Sequence, residues 1–129
     1  LVAGETFKLS LIGKSFKLFE TAIQKYGAVH YLPEFMRGSV AENLPWFYFS
    51  KRALAKIDFE NIIRKQAQHP EYASWKIMSF VYWAWAKQHP QRKYRSQALS
   101  YLQKAIELDS HYLAGRKRSE ELMACYSMK

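Results

Sequence analysis

Two His-Pro pairs, at 69–70 and 89–90, constrain the fold of this chain more than any other feature. Proline lacks an amide hydrogen, and the residue before it avoids helical angles, so a helix ends at each pair. On either side of the pairs, apolar residues recur at intervals of three and four, and strand-like alternation is hard to find. The chain therefore reads as a series of short helices. The first runs from about Ser10 to Tyr26 and stops at Gly27. The second runs from about His30 to Asn43, with Pro33 in its first turn and Leu44-Pro45 closing it. The third begins near Ser50 and ends at the first His-Pro pair. The fourth starts in the turn after Pro70, with Glu71 near the positive end of its dipole, and ends at the second pair. The fifth covers about Arg92 to Leu108, and the sixth runs from Ser110 or His111 to Tyr126. Residues 1–9 read as the remainder of an earlier helix.

The length of 129 residues fits one domain, 1–129, or one short array. Hydrophobic residues make up 49%, enough to build a core, and this excludes wholesale disorder. The most apolar run, IMSFVYWAWA at 77–86, falls short of the roughly 18 residues that a membrane span needs. The chain begins at Leu1 without a methionine, and the expectation is that it is the C-terminal part of a longer one. Its single cysteine, Cys125, excludes an internal disulfide and reads as a small packing residue. A reducing compartment, the cytoplasm, is the expected location. Twenty Lys and Arg against eleven Asp and Glu give a net charge of +9, which favours anionic partners: acidic peptide, nucleic acid or anionic lipid.

Small residues sit in the middle of several apolar stripes. The first helix has Ser15, Phe19 and Ala22; the third has Ala55, Phe59 and Ile62; the fifth has Ala98, Leu102 and Ala105. In each, a small residue is followed four positions on by a large one, then three positions on by Ala or Ile. The pattern recurs at steps of about 40 residues. A small residue in a buried stripe lets a neighbouring helix come close, so Ala105 predicts a close contact. On the fourth helix, Trp75, Met78, Ser79 and Tyr82 run large, apolar, small, aromatic.

Joined to Ala98, Leu102, Ala105 and Ser110, this series resembles the tetratricopeptide repeat (TPR) consensus of paired antiparallel helices. Ser110 stands where the family has proline. About seven extra residues, in KQHPQRKYR, separate the two halves. In the second helix Gly38 fits the small position, Ala41 stands where Tyr is expected, and Glu34 and Arg37 depart from the pattern. The resemblance spans about 15–126 and is good for 75–110. The stretch 31–63 is also similar to segments of bacterial helical-repeat proteins. The resemblance implies an all-α fold of hairpins stacked as a short right-handed solenoid, since one hairpin cannot bury its own apolar face. Trp75, Phe59, Tyr82 and Leu102 are expected to fill the space beside the small residues, and the sixth helix, with Leu113, Leu122 and Met123, to cap the open end.

Catalytic chemistry has little support. The carboxylates are scattered along amphipathic helices, where solvated charge is their expected role. No HxxxH, HExxH or Cys/His cluster is present, so no metal or other cofactor is expected. Gly13-Lys14-Ser15 lacks the upstream glycine and strand of a phosphate loop. His69 and His89 are placed to cap helix carbonyls. The expected function is non-enzymatic: docking of a peptide or partner protein, of acidic character, in a concave groove. In TPR-like proteins the first helix of each pair lines that groove. Carried over, the groove positions are Lys76, Phe80 and Trp83, with Phe35, Ser39 and Glu42 on the second helix. Trp83 is expected to be exposed and Tyr82 packed. The alternative is a polyanion-binding surface built from Lys51, Arg52 and Lys56, from Arg92, Lys93 and Arg95, and from Arg116, Lys117 and Arg118, with Trp85 and Tyr94 stacking on bases.

Overall fold

The computed structural model describes residues 3–44 and 49–127. Six α-helices organise them: α1 Ala3–Tyr26, α2 Leu32–Glu42, α3 Phe49–Gln68, α4 Trp75–Gln88, α5 Arg95–Leu108 and α6 Arg116–Ser127. There is no strand among the described residues, as the apolar periodicity predicts. Each helix packs on the one before it, and α6 also reaches back to α4. No helix of the described residues is long and apolar enough to cross a membrane. Pro45, expected to close α2, lies outside the described residues.

Several helix starts differ from expectation, each for a local reason. α1 begins at Ala3, so Gly13-Lys14-Ser15 lies within a helix and forms no loop. α4 begins at Trp75, because the Ser74 hydroxyl accepts the Ile77 N–H at 3.4 Å and caps the helix there. A single 3₁₀ turn, Arg92–Tyr94, leads into α5. α6 starts only at Arg116. Before it, the buried Asp109 carboxylate accepts the N–H groups of Leu113, Ala114 and Arg116 at 2.7–3.1 Å, which winds 109–115 into a turn. Leu113 therefore sits on that turn, exposed, and is not part of the last helix. Burial pushes the Asp109 carboxyl upward, but those backbone hydrogen bonds outweigh it and hold the group below its ordinary range.

The core is built from Phe59, Ile62, Val81 and Leu102, all fully buried, with Ala55, Ala84, Ala98 and Ala105 between the axes. The contact at Ala105 is a close one. The Ser79 hydroxyl donates to the Ala105 carbonyl at 2.8 Å and accepts the Gly115 N–H at 3.0 Å. A side chain on Gly115 would meet the Ser79 carbonyl oxygen at 2.4 Å, so α4, α5 and the entry to α6 meet at a point that admits only glycine. Gly38 on α2 has a similar place: an added methyl group would lie 3.1 Å from both Asp58 and the Phe59 ring on α3. Trp75, by contrast, is 45% exposed and fills no interhelical space.

The residues of α2 that depart from the consensus carry charge into the interior. Arg37 bonds Asp58 through two parallel hydrogen bonds, 2.8 and 2.7 Å, and Asp58 is fully buried. The hydrogen bond to Asp58 raises the Arg37 guanidinium; burial raises Asp58 more than Arg37 lowers it. Glu34, 1% exposed, pairs with Lys65 of α3. Lys65 and the Tyr72 hydroxyl both donate to the Gly27 carbonyl at 2.8 Å, tying the end of α1 to the end of α3. Burial, then Glu34, pushes the Tyr72 hydroxyl up to about 12. The expectation that the carboxylates are solvated fails at Glu34, Glu42, Asp58 and Asp109.

Candidate functional site

A cleft of about 510 Å³ lies where the C-terminal end of α2, α4 and α6 come together. Its floor is aromatic. Phe80 and Trp83, one turn apart on α4, have ring centroids 5.4 Å apart. Phe35 of α2 meets the edge of Phe80 at 5.4 Å, and Phe59 of α3 lies 6.2 Å from it, so the floor is continuous with the core. Leu122 of α6 supplies an apolar wall.

The rim is charged. Lys87, a further turn along α4, pairs with the buried carboxylate of Glu42 and places its ammonium 5.3 Å from the Trp83 centroid. Arg118 of α6 places its guanidinium 4.9 Å from the Trp83 centroid and 5.9 Å from that of Phe80. Arg118 is exposed and has no carboxylate partner within ion-pair distance among the described residues.

The predicted groove residues divide. Phe80, Trp83 and Glu42 line this cleft, and Phe35 buttresses it from below. Lys76 is exposed and stands outside it. Ser39 is half-buried; its hydroxyl is buried without a partner and does not line the cleft. The expectation that Trp83 is exposed is overturned: it is 8% exposed. The exposed ridge of Lys76, Phe80 and Trp83 expected from helical spacing is therefore not present, although Phe80 and Trp83 do share a face of α4. That face is covered by α6, whose Arg118 lies over both rings, and by Lys87. Tyr82 is half-buried and packs on Tyr101 at 5.1 Å, and burial raises its hydroxyl. Cys125, expected as a packing residue, is exposed at the cleft wall.

The nine basic residues of the alternative reading are dispersed. Lys51 lies 5.2 Å from the Phe16 ring centroid, Arg52 is half-buried, and Arg95 lies over Tyr126. Arg116 pairs with Glu120 at 3.1 Å. Lys56 borders a second, smaller cleft with Trp85, His89 and Tyr94, and Lys93 lies over Tyr94. Arg92 and Lys117 are exposed, and Arg118 stands alone at the first cleft. Trp85 is closed to a base: His89 stacks on it at 3.8 Å, Tyr101 meets it edge-on at 4.9 Å, and it is 5% exposed. His89 does cap its helix, its Nδ1 lying 2.7 Å from the Trp85 carbonyl. No ring hydrogen bond of His69 is seen among the described residues.

Lys87 and Leu122 line the cleft without being among the residues that helical spacing singles out, and Arg118, expected in a basic cluster, lies over its aromatic floor. Lys87 had a local signal, standing four residues after Trp83. Arg118 and Leu122 had none, because only the return of α6 onto α4 brings them there. No family model, no curated protein and no solved structure matches this chain.

Proposed function

We propose that the chain is a non-enzymatic protein-interaction module that docks a segment of a partner protein in the cleft between α2, α4 and α6. The observation that carries this reading is the makeup of the cleft. An aromatic floor and an apolar wall sit inside a rim of oriented charges, the composition by which binding sites combine affinity with specificity. The scaffold of this reading is the TPR-like hairpin array that the spacing of Ser79, Ala98 and Ala105 resembles, on helices packed in chain order. In such a scaffold α2, α4 and α6 are the first helices of successive pairs, the ones that face the groove.

Cys125 gives a direct test, being the sole cysteine, exposed, and at the cleft wall. Alkylation with a bulky maleimide plugs the cleft without touching the core. The expected outcome is that a partner captured from cell extract by the unlabelled protein is lost from the labelled one, while the melting temperature stays unchanged. A partner retained after labelling would place the interaction elsewhere, and retention of nucleic acid alone, lost steeply with salt, would favour the polyanion reading.

A further inference from the structure

Within that cleft, and resting on its reading as a docking site, we infer that Arg118 anchors an acidic partner segment and that Glu42 is an internal competitor that sets how acidic the segment must be. Two cations face Trp83, and their circumstances differ. Lys87 is held by Glu42, a carboxylate 7% exposed and turned to the cleft from α2. Arg118 lies on ring faces and has no carboxylate partner among the described residues, so its guanidinium donors are not engaged by an ion pair there. A guanidinium resting on an indole is held in plane and offers its edge to an incoming carboxylate. The bound segment then sets an apolar side chain against Phe80 and Leu122, both half-buried at the cleft, and a carboxylate on Arg118.

The charge of the whole chain and the place of Arg118 select the occupant. The chain carries +9, and the charge that lies over the aromatic rings without a carboxylate partner among the described residues is the cation of Arg118, while Glu121 stands at the rim. Within the cleft itself Lys87 and Arg118 are balanced by Glu42 and Glu121. Glu42 thus withholds one of the two available cations from the ligand. Removing its charge, with its shape kept, frees Lys87 and leaves the cleft with a net positive charge. That substitution strengthens an acidic ligand; were the ligand cationic, seated on Trp83 and Glu42 in place of Lys87, the same substitution would weaken it. Glu42→Gln therefore reads out the sign of the ligand.

The test uses the full chain and two fluorescein-labelled probes, Leu-Glu-Leu-Glu-Leu-Glu and Leu-Lys-Leu-Lys-Leu-Lys, followed by anisotropy at low salt. The glutamate probe is expected to bind and the lysine probe to fail. Arg118→Gln is expected to weaken the glutamate probe about tenfold, and Glu42→Gln to tighten it about three- to tenfold. Both positions are checked for fold by circular dichroism. If maleimide labelling of Cys125 abolishes binding of the glutamate probe but Glu42→Gln leaves it unchanged or weaker, this inference fails and the docking site stands. Stronger binding of the lysine probe also overturns it. If neither probe binds in a way that the label blocks, the docking site falls, and this inference with it.

Discussion

Where α4, α5 and α6 meet, the contact is made by small residues: Ser79, Ala105 and Gly115, bonded to one another at 2.8 and 3.0 Å. Where α1, α2 and α3 meet, it is made by charge: Arg37 on Asp58, Glu34 on Lys65, and Lys65 with Tyr72 on the Gly27 carbonyl. The first region gains from close approach and dispersion between backbones. The second gains from oriented ion pairs whose desolvation cost is offset only while both partners are present. The two regions are therefore expected to fail in different ways, one through volume and the other through loss of a counter-charge.

The largest effect tests the charged region. Arg37→Met removes the counter-ion of a fully buried carboxylate and is expected to cost about 3–5 kcal/mol at neutral pH, read from denaturant midpoints. The pH dependence gives the sign. The Asp58 carboxyl already sits above its ordinary range because burial outweighs Arg37, and without Arg37 it rises further. A raised carboxyl favours the protonated form in the folded state, so the penalty is present above that raised value and relieved as pH falls through it. A variant whose deficit is the same at acid and neutral pH would show that Asp58 is not the group left stranded.

The cleft joins the two regions through Glu42 of α2 and Trp83 of α4. Trp83→Ala is expected to cost about 3–5 kcal/mol of stability, because the ring is 8% exposed and packed against Phe80. A variant of wild-type stability that loses only its partner would restore the exposed-ridge picture drawn from helical spacing.

The small-residue region could be read from sequence because packing at short interaxial distance obeys helical period: Ala98, Leu102 and Ala105 lie on one stripe, and all three are fully buried. The ion pairs could not, because Glu34 and Lys65, or Arg37 and Asp58, stand far apart in the chain and no period links them. A lone Glu on an amphipathic helix looks the same whether water or a lysine of the next helix meets it. The cleft was half legible for the same reason. Phe80 and Trp83 share a helical face that spacing reveals, whereas Arg118 and Leu122 arrive with α6. The late start of α6 was hidden too, since Asp109 reads as the end of one helix and only its three backbone partners show that it organises the entry to the next.

Third in size is the volume test. Ala105→Leu is expected to overpack the contact with α4 and cost about 1–3 kcal/mol, independent of pH. Gly115→Ala should act on the same contact, and because both meet Ser79 the two effects are expected to be non-additive in a double-mutant cycle. Full additivity would mean that the two residues meet α4 at separate points.

The small-residue region holds one buried charge of its own. Asp109 is fully buried, yet its partners are backbone N–H groups and not a cation. Asp109→Asn keeps the shape, halves the acceptor capacity, and is expected to cost about 1–2 kcal/mol at neutral pH, in the range of helix-cap losses. Its pH dependence runs opposite to that of Arg37→Met. The Asp109 carboxyl sits below its ordinary range, so its ionised form stabilises the folded chain above the unfolded carboxylate value, and that stabilisation is lost as pH falls through the lower, folded value. Wild type and Asp109→Asn should therefore converge in acid as wild type loses stability. In the Arg37→Met variant, by contrast, the deficit shrinks because the variant recovers. Urea midpoints for the three proteins, measured from neutral pH down into the carboxylate range, separate the two behaviours. If Asp109→Asn remains as far below wild type in acid as at neutral pH, the carboxylate charge plays no part in the turn, and Asp109 holds α6 through shape alone.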